Sequence, residues 1–408
     1  MNKSTFFTGQ PVFSQLLNLI PRSIVDRLSR VHGSNRYCKR FMAYDHLVSM
    51  LYAGYFQCTS LRELTTGLLA SSSRLSHLGL KYPPRRSTLS DANQRRSADF
   101  FGALYHELYK YYFSPDSRSI NSEDRLFIID STTIALFTDI MRAAGCKKAD
   151  GRSKGGAKAH VVLDSENDVP SFVLITESKD NDQIFLKTAV VPAGTTVVMD
   201  RAYGNYKQFD QWTERGIKWV TRQRTCAHVI VKEEILVKES SKQLGILSDE
   251  LVTLGTPGRS STPVVPARRI CFLDSQKGRK FYFITNDLVS EPEVIADIYR
   301  RRWQIELLFK RIKQRYPLKN FLGDNPNAIK IQIWAALLCD LLVRIIQKQV
   351  NKIKKRPWAY ASISAMIKHH LMNYVSLKDF LLDPEKVIRN YKHPATEINL
   401  FNNPGAYS

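Results

Sequence analysis

Apolar residues recur at helical spacing through the first quarter of the chain. Phe13, Leu16 and Ile20 illustrate this three- and four-residue period, which continues to about residue 113. Ser60 and Glu63 provide a capping-box start for a helix predicted over residues 61–69. The pattern therefore predicts an all-helical N-terminal region.

Around Asn121 the pattern changes from helical to extended. Residues 126–130 form a nearly continuous apolar run, typical of a central strand that is buried on both faces. Two further runs are predicted to form a hairpin, and each of the next two strands follows a predicted helix. In chain order, these strands and helices are 159–164, 171–176, helix 184–191, 195–200, a helix through Tyr206 and Phe209, and 217–221. This order predicts a mixed α/β sheet.

The segment from about Arg224 to Asp287 is rich in predicted strands and loops, with strands at 228–235, 264–273 and 281–285. It is predicted to be a β subdomain inserted into the α/β domain. Helices are predicted at 295–313 and 326–352, and a basic linker before Pro357 leads to a short helical tail. The predicted domains are residues 1–120, 121–345 and 346–408.

The helix predicted over residues 295–313 carries an unusual polar face. At about 100° per residue, four polar side chains fall within roughly 60° of one another. They are Tyr299, Arg302, Glu306 and Lys313, and an apolar stripe of Ile298, Ile305, Phe309 and Ile312 lies beside them. A guanidinium next to such a stripe needs a carboxylate or phosphate partner, because an unpaired buried charge is costly.

The composition points to a polyanionic partner. The chain has 60 Lys and Arg against 38 Asp and Glu, a formal net charge of +22. Such an excess favours nucleic acid, because every phosphate contact releases counterions, although a merely basic protein is the alternative. The segment around residues 83–96 is equally consistent with a DNA-reading unit and a structural helical hairpin. Its candidate DNA-binding residues are Arg85, Arg86, Arg95 and Arg96.

Several other classes of protein are disfavoured. The six cysteines form no close pairs, which excludes a zinc ribbon or C-x-x-C site and favours reduced thiols in the cytoplasm. The N-terminus lacks an apolar run of signal-peptide length. Asp340 and Arg344 interrupt the most apolar stretch, 331–346, which is therefore predicted to be a buried helix and not a membrane span.

Five apolar runs end in aspartate. Asp164 and Asp274 lead into turn sequences and are predicted to form turns, and Asp287 is predicted to be a loop or cap residue. Asp130 and Asp200 differ because each closes an apolar run within the α/β sheet.

Asp130, Asp200 and Glu306 together suggest a metal site. Two carboxylates from neighbouring strands and one from a packed helix can hold two divalent cations about 4 Å apart. Oxygen ligands favour Mg²⁺ or Mn²⁺. From spacing alone, structural roles for these three residues are an equal alternative. Trp303 borders the same helix face, where it could stack on a base or pack in the core.

These residues resemble the signature of the DDE transposases of bacterial insertion sequences, in the IS-four family. Tyr299, Arg302, Glu306 and Lys313 match every interval of the family's Tyr-Arg-Glu-Lys signature. Asp130 followed by hydroxyl residues resembles the first aspartate motif, and Asp200-Arg-Ala-Tyr-Gly resembles the second. A segment like 156–164 is also common between them. The similarity covers about residues 126–343.

The resemblance implies an RNase H-like catalytic domain with a β insertion, preceded by a helical DNA-binding region. It implies that Asp130, Asp200 and Glu306 hold two Mg²⁺ ions and that Tyr299, Arg302 and Lys313 hold the DNA end. The implied chemistry is cleavage at the element ends, formation and opening of a hairpin, and strand transfer into target DNA. Relatives use an insertion Trp in the hairpin step, but residues 224–287 contain none. Possible substitutes are Phe272, Phe281, Tyr282 and Phe283.

The leading hypothesis is thus a nucleoid-associated cytoplasmic transposase that acts as a synaptic homodimer on terminal inverted repeats and target DNA. An RNase H-like nuclease without strand transfer and a non-catalytic, transposase-derived DNA-binding protein are the alternatives. The presence of all three carboxylates counts against the second alternative.

Overall fold

The structure is a computed structural model and describes residues 9–113, 125–135, 146–147, 153–154, 156–177, 182–256, 263–276 and 278–389. These residues form two compact units. The larger unit contains the described parts of residues 20–70 and 82–341. The smaller unit contains the described parts of residues 1–19, 71–81 and 342–408. The predicted domain limits stay a prediction.

The N-terminal region is helical, as the periodicity predicts. Its helices are α1 (Val12–Leu17), α2 (Arg22–Val31), α3 (Ala43–Phe56), α4 (Leu61–Ala70), α5 (Arg86–Arg95) and α6 (Asp99–Phe113). Half of the predicted capping box forms at α4, since Ser60 Oγ accepts a hydrogen bond from the Glu63 amide (3.1 Å). The Glu63 carboxylate accepts a hydrogen bond from the Thr59 amide instead of the Ser60 amide.

Eleven strands are present in the described part of the chain. They are β1 (Leu126–Ala135), β2 (Cys146–Lys147), β3 (Ser153–Lys154), β4 (Gly156–Asp164), β5 (Val169–Glu177), β6 (Thr196–Met199), β7 (Lys218–Arg222), β8 (Val229–Ile235), β9 (Ile246–Leu254), β10 (Val265–Asp274) and β11 (Arg279–Thr285). Nine of them form one mixed sheet in the order β5-β4-β1-β6-β7-β11-β10-β9-β8, while β2 and β3 pair separately. β1 is parallel to β6 and antiparallel to β4.

Helices α7 (Asp182–Thr188) and α8 (Tyr206–Glu214) follow β5 and β6, which matches the predicted order of elements. Phe185, Trp212 and Trp219 form a core with Phe127 and Ile129 of β1. Burial of each such side chain contributes about 1.5–3 kcal/mol or more. Because side chains alternate along a strand, Ile128 and Asp130 project to the opposite face from Phe127 and Ile129.

The segment 224–287 extends the main sheet. β11 pairs antiparallel with β7, and β10, β9 and β8 continue outward from it; a short helix, α9 (Glu239–Gln243), precedes β9. The sequence prediction missed β9 because the centre of that strand is polar. Its Asp249 is buried and paired with Arg268 of β10 (2.6 Å), which makes this polarity compatible with a strand.

The remaining helices are α10 (Pro292–Arg301), α11 (Trp303–Arg315), α12 (Pro326–Asn351), α13 (Tyr360–His370), α14 (Leu377–Leu382) and α15 (Pro384–Arg389). The prediction of one continuous helix over 295–313 is wrong at Arg302, where α10 ends and α11 begins. The Ile305 amide donates to the Arg302 carbonyl, a tight i→i+3 bond that keeps the two helices nearly continuous. The buried stretch 331–346 lies within α12, and no described helix is long and apolar enough to span a membrane.

The smaller unit is built around α1 and the C-terminal helices. Backbone amides of Val12 and Phe13 donate to the carbonyls of Asn373 and Leu371, and Ser14 Oγ donates to the His77 carbonyl (2.7 Å). These bonds connect three segments that are distant in sequence.

Candidate active site

Asp130 and Asp200 lie side by side, at the point where the parallel pairing of β1 and β6 ends. The last parallel pair between β1 and β6 is Ile129 with Met199, and each aspartate is the next residue in its chain. β1 continues beyond Asp130 to Ala135, so Asp130 lies within a strand and does not end one, contrary to the sequence prediction. Its Oδ1 accepts a hydrogen bond from the Ser131 amide (2.8 Å).

Asp200 caps a short 3-10 turn, Arg201–Tyr203. Its Oδ1 accepts a hydrogen bond from the Ala202 amide (3.0 Å), which orients the carboxylate. The Arg224 guanidinium holds the turn from outside, donating from Nε to the Arg201 carbonyl (2.7 Å) and from Nη2 to the Ala202 carbonyl (2.6 Å). A Cβ at Gly204 would lie 3.2 Å from Arg224 Nε, so glycine allows this close packing.

Glu306 lies in the first turn of α11, and Arg302 joins it to Asp130. Arg302 Nη2 donates to Glu306 Oε1 (2.6 Å), and Nη1 donates to Asp130 Oδ2 (3.2 Å). The predicted need of Arg302 for an anionic partner is therefore met by two carboxylates. Its Nε is buried without a hydrogen-bond partner, so the guanidinium is not fully satisfied in this position.

Burial and neighbouring charges together alter the acidity of Asp130. Burial raises the pKa of Asp130 to about 6, and Asp200 and Glu306 add to the increase, while the Ser131 amide and Arg302 oppose it. Asp200 and Glu306 are therefore near enough to Asp130 to affect its charge, at the point where the parallel pairing of β1 and β6 ends.

The other residues of the helix signature border this point. Lys313 Nζ donates to Thr132 Oγ1 (2.7 Å) and to the Thr133 carbonyl (2.9 Å), directly beyond Asp130 on β1. Burial lowers the pKa of Lys313. The Tyr299 ring packs against Phe283 with 4.8 Å between centroids. Ile305 and Ile312 are buried, so the predicted apolar stripe secures α11 at these positions.

Trp303 is 58% exposed, which argues against core packing. It borders a cavity of about 1030 Å³ whose wall contains other aromatic rings. Those rings belong to Phe272, Phe281, Phe283 and Tyr299, while Arg302 lines the same cavity. This aromatic cavity brings rings of the β segment to the same wall as Arg302, a proximity that sequence spacing could not predict.

Arg302 lies between the carboxylates of Asp130 and Glu306. In the part of the chain that the structure describes, no three His, Cys, Asp or Glu side chains lie close enough together to hold one ion. The donors of Asp130, Asp200 and Glu306 are nevertheless hard carboxylate oxygens. This chemistry fits a divalent cation such as Mg²⁺ or Mn²⁺.

The other strand-end aspartates have structural roles. Asp164 accepts hydrogen bonds from the Glu166 and Asn167 amides, and Asp274 accepts one from the Gln276 amide, so both form turns as predicted. Asp287 accepts hydrogen bonds from the Val289 and Ser290 amides, as expected of a loop residue.

The four candidate arginines of the N-terminal region separate into two groups. Arg85, Arg86 and Arg95 are exposed. Arg96 is buried, and its guanidinium donates to the carbonyls of Ser34 and Phe41. The prediction that Arg96 contacts DNA is therefore corrected: this side chain joins α5 to the loop before α3.

Comparison with known proteins identifies the family. The transposase DDE domain matches residues 121–342, more than half of the chain, and a domain of unknown function matches residues 8–81. The chain belongs to the DDE transposase family.

Relatives from bacteria support this assignment. A protein of Sinorhizobium fredii described as a transposase is 32% identical over 277 residues, covering 66% of this chain and 73% of that protein. A protein of Geobacillus stearothermophilus, described as a transposase for an insertion sequence element, is 27% identical and covers 58% of this chain and 60% of that protein. A solved structure of the piggyBac transposase synaptic complex with hairpin DNA aligns with a TM-score of 0.47 at 10% identity, covering 96% of this chain and 87% of that chain. The matching domain and the two bacterial relatives identify the chain as a DNA transposase, and they confirm the resemblance inferred from its signature.

Proposed function

We propose that this transposase cuts insertion-sequence ends and joins them to target DNA at a site formed by Asp130, Asp200 and Glu306. The observation that carries the proposal is that Arg302 joins Asp130 to Glu306, while Asp200 lies beside Asp130 where the parallel pairing of β1 and β6 ends. A structural role for the cluster is disfavoured, because the one guanidinium shared by Asp130 and Glu306 does not balance the charge of three neighbouring acids.

The three carboxylates would hold two Mg²⁺ or Mn²⁺ ions. When bound, such ions polarise the attacking oxygen and stabilise the leaving oxygen of a phosphodiester. The chain's own residues position these ligands: the Ser131 amide orients Asp130, the Ala202 amide orients Asp200, and α11 presents Glu306.

Arg302, Tyr299 and Lys313 would bind the DNA end. A guanidinium can exchange a carboxylate for a phosphate while retaining a bidentate geometry. Lys313 lies beside Thr132 and Thr133, so its ammonium can reach a phosphate at the level of Asp130. Movement of Arg302 to the DNA would release Asp130 and Glu306 for the metal ions.

The sheet supports an RNase H-like catalytic domain. Its first five large strands have the order β5-β4-β1-β6-β7, with β4 antiparallel to β1 and the next two strands parallel to it. This arrangement places the aspartate of the first strand beside that of the fourth, as the mechanism requires.

The aromatic cavity supports a hairpin step. Closing a hairpin unstacks the terminal base, which needs an aromatic surface to receive it. Phe281, Phe283 and Trp303 line the cavity next to Arg302, and the Phe281 and Phe283 rings are nearly parallel. They would serve in place of the tryptophan that the β segment lacks.

Exposed cations in the helical region would hold DNA further from the cleavage point. Arg86 lines a groove of about 1220 Å³ with Arg62 and Lys319, and Arg95 lines a second of about 540 Å³. Two copies of the chain would bring the two element ends together as a homodimer.

The test uses purified protein, Mg²⁺, DNA bearing the element's candidate terminal inverted repeats and a supercoiled target. Wild type is expected to yield cut ends, hairpins and joined products. Asp130→Ala, Asp200→Ala and Glu306→Ala are each expected to bind DNA but to lose all chemistry. Full activity in any one of them would refute the assignment, and cleavage without joining by wild type would indicate a nuclease.

A further inference from the structure

A second cationic cavity, of about 590 Å³, lies beside the Asp200 turn. Its lining includes four cationic side chains, Arg201, Lys207, Arg222 and Arg224. The amides of Asn205 and Gln223 add neutral hydrogen-bonding groups, and none of the described residues that line the cavity is Asp or Glu.

Within the described ranges, the four cations have no anionic partner. In the described part of the chain, Arg201, Lys207, Arg222 and Arg224 form no ion pair, whereas buried arginines such as Arg268 and Arg311 each pair with an aspartate. Arg224 is oriented by its two hydrogen bonds to backbone carbonyls, which leaves Nη1 available. A fixed guanidinium with a free nitrogen is suited to phosphate recognition.

The cavity is close to the carboxylates but separate from the helix signature. Arg201 directly follows Asp200, and Arg222 pairs across β7 and β11 with Phe283, whose ring contacts Tyr299. A chain of phosphates in this cavity would therefore pass beside Asp200, while Tyr299, Arg302 and Lys313 contact DNA from α10 and α11.

We propose that this cavity binds the phosphate backbone of a second DNA segment, distinct from the strand end held by the helix signature. The proposal rests on the proposed function, which places chemistry at Asp200. Two segments have the same phosphate chemistry: the target DNA and the DNA that flanks the element end. Four unpaired cations without an acid favour either of them over a neutral or cationic ligand.

The experiment compares Arg201→Ala/Lys207→Ala with a control, Lys187→Ala/Lys232→Ala, which removes the same charge from exposed positions on α7 and β8. Binding is measured by fluorescence anisotropy over a salt series, without metal. One probe is a duplex carrying an end with flanking DNA. The other is a plain duplex offered to protein already loaded with pre-cleaved ends.

Loss of two phosphate contacts is expected to reduce the slope of log K against log salt by about 1.8 for one of the two duplexes. A change for the plain duplex identifies the target, and a change for the flanked end identifies flanking DNA. Slopes equal to those of wild type and control for both probes would overturn the proposal. Because the readout is binding, it stays informative even if Asp200→Ala retains activity, which would refute only the proposed function.

Discussion

Arg302 joins Asp130 and Glu306 through two separate nitrogens, at 3.2 and 2.6 Å. The same guanidinium thus pairs with two of the carboxylates proposed to bind metal ions, and it belongs to the group proposed to bind DNA. Its side chain is only 14% exposed, so this pairing is stronger than that of a surface ion pair.

Arg302→Ala is expected to have opposite effects on metal and DNA. Removing the competing cation should increase Mn²⁺ affinity without DNA by about 10-fold. This change is smaller than the full electrostatic energy of two charges at the distance between Arg302 and these carboxylates. Cleavage of the element end should fall by about 10²–10³-fold, because a preorganised donor to the phosphate is lost.

Calorimetric Mn²⁺ titration and a single-turnover cleavage assay measure the two effects. Arg300→Ala is the control, since Arg300 is exposed and pairs with Asp297 on α10. Unchanged or weaker Mn²⁺ binding in Arg302→Ala would show that Arg302 does not compete with the ions.

Asp130 is expected to lower the stability of the metal-free protein at neutral pH. Its pKa of about 6 in the folded state lies above the ordinary value of 3.8, so the folded protein binds the proton more tightly than the unfolded chain. Stability contributed by this proton is present below pH 4 and is lost as the pH rises to about 6.

Asp130→Asn should therefore increase the free energy of unfolding at pH 7 by about 1–3 kcal/mol, with little effect at pH 4. Urea unfolding in EDTA at both pH values measures the difference. Asp274→Asn, at the half-buried turn end of β10, controls for a general loss of charge. A stabilisation of the same size at both pH values would contradict the electrostatic origin.

The sheet was predictable from local pattern because its central strands are continuous apolar runs. β9 was not, because the burial of Asp249 is made possible by Arg268, nineteen residues away. The helix signature was found by spacing, yet the break at Arg302 and its contact with Asp130 depend on a strand 172 residues earlier. The aromatic cavity similarly depends on how β11 packs on α10. Such pairings are set by tertiary structure, which spacing along one chain cannot reveal.

Arg96 and Arg86 should behave differently although they lie ten residues apart on one basic segment. Arg96→Ala should lower the free energy of unfolding by about 2–4 kcal/mol, because two buried carbonyls lose their donor. Arg86→Ala should leave stability unchanged within about 0.5 kcal/mol but weaken DNA binding at low salt. Thermal unfolding and anisotropy with duplex DNA separate the two; weakened binding by a fully stable Arg96→Ala protein would restore Arg96 as a DNA contact.

Arg224 should affect the position of the Asp200 carboxylate, because Arg224 holds the Arg201–Tyr203 turn that Asp200 caps. Arg224→Ala frees the carbonyls of Arg201 and Ala202, which should loosen the capping amide and reduce cleavage by about 10–100-fold. Added methylguanidine should restore part of the rate, since the cavity left by the side chain matches it. Lys232→Ala, which removes an exposed cation from β8, should show neither loss nor rescue. A rate loss that methylguanidine does not relieve, accompanied by a lower melting temperature, would indicate a general folding defect instead.

The Trp303→Ala variant tests whether the aromatic cavity receives a base. Trp303→Ala removes a 58% exposed ring and should leave the melting temperature unchanged, while hairpin formation should fall by about 5–100-fold, as expected for about 1–3 kcal/mol of stacking. The initial nick should be unaffected, because it precedes unstacking of the terminal base. Leu307→Ala, one turn further along α11 and 51% exposed, is the matched control. A denaturing gel resolves nicked, hairpin and fully cut products from one labelled end, so equal loss of nicking and hairpin formation would place Trp303 in DNA binding and not in the hairpin step.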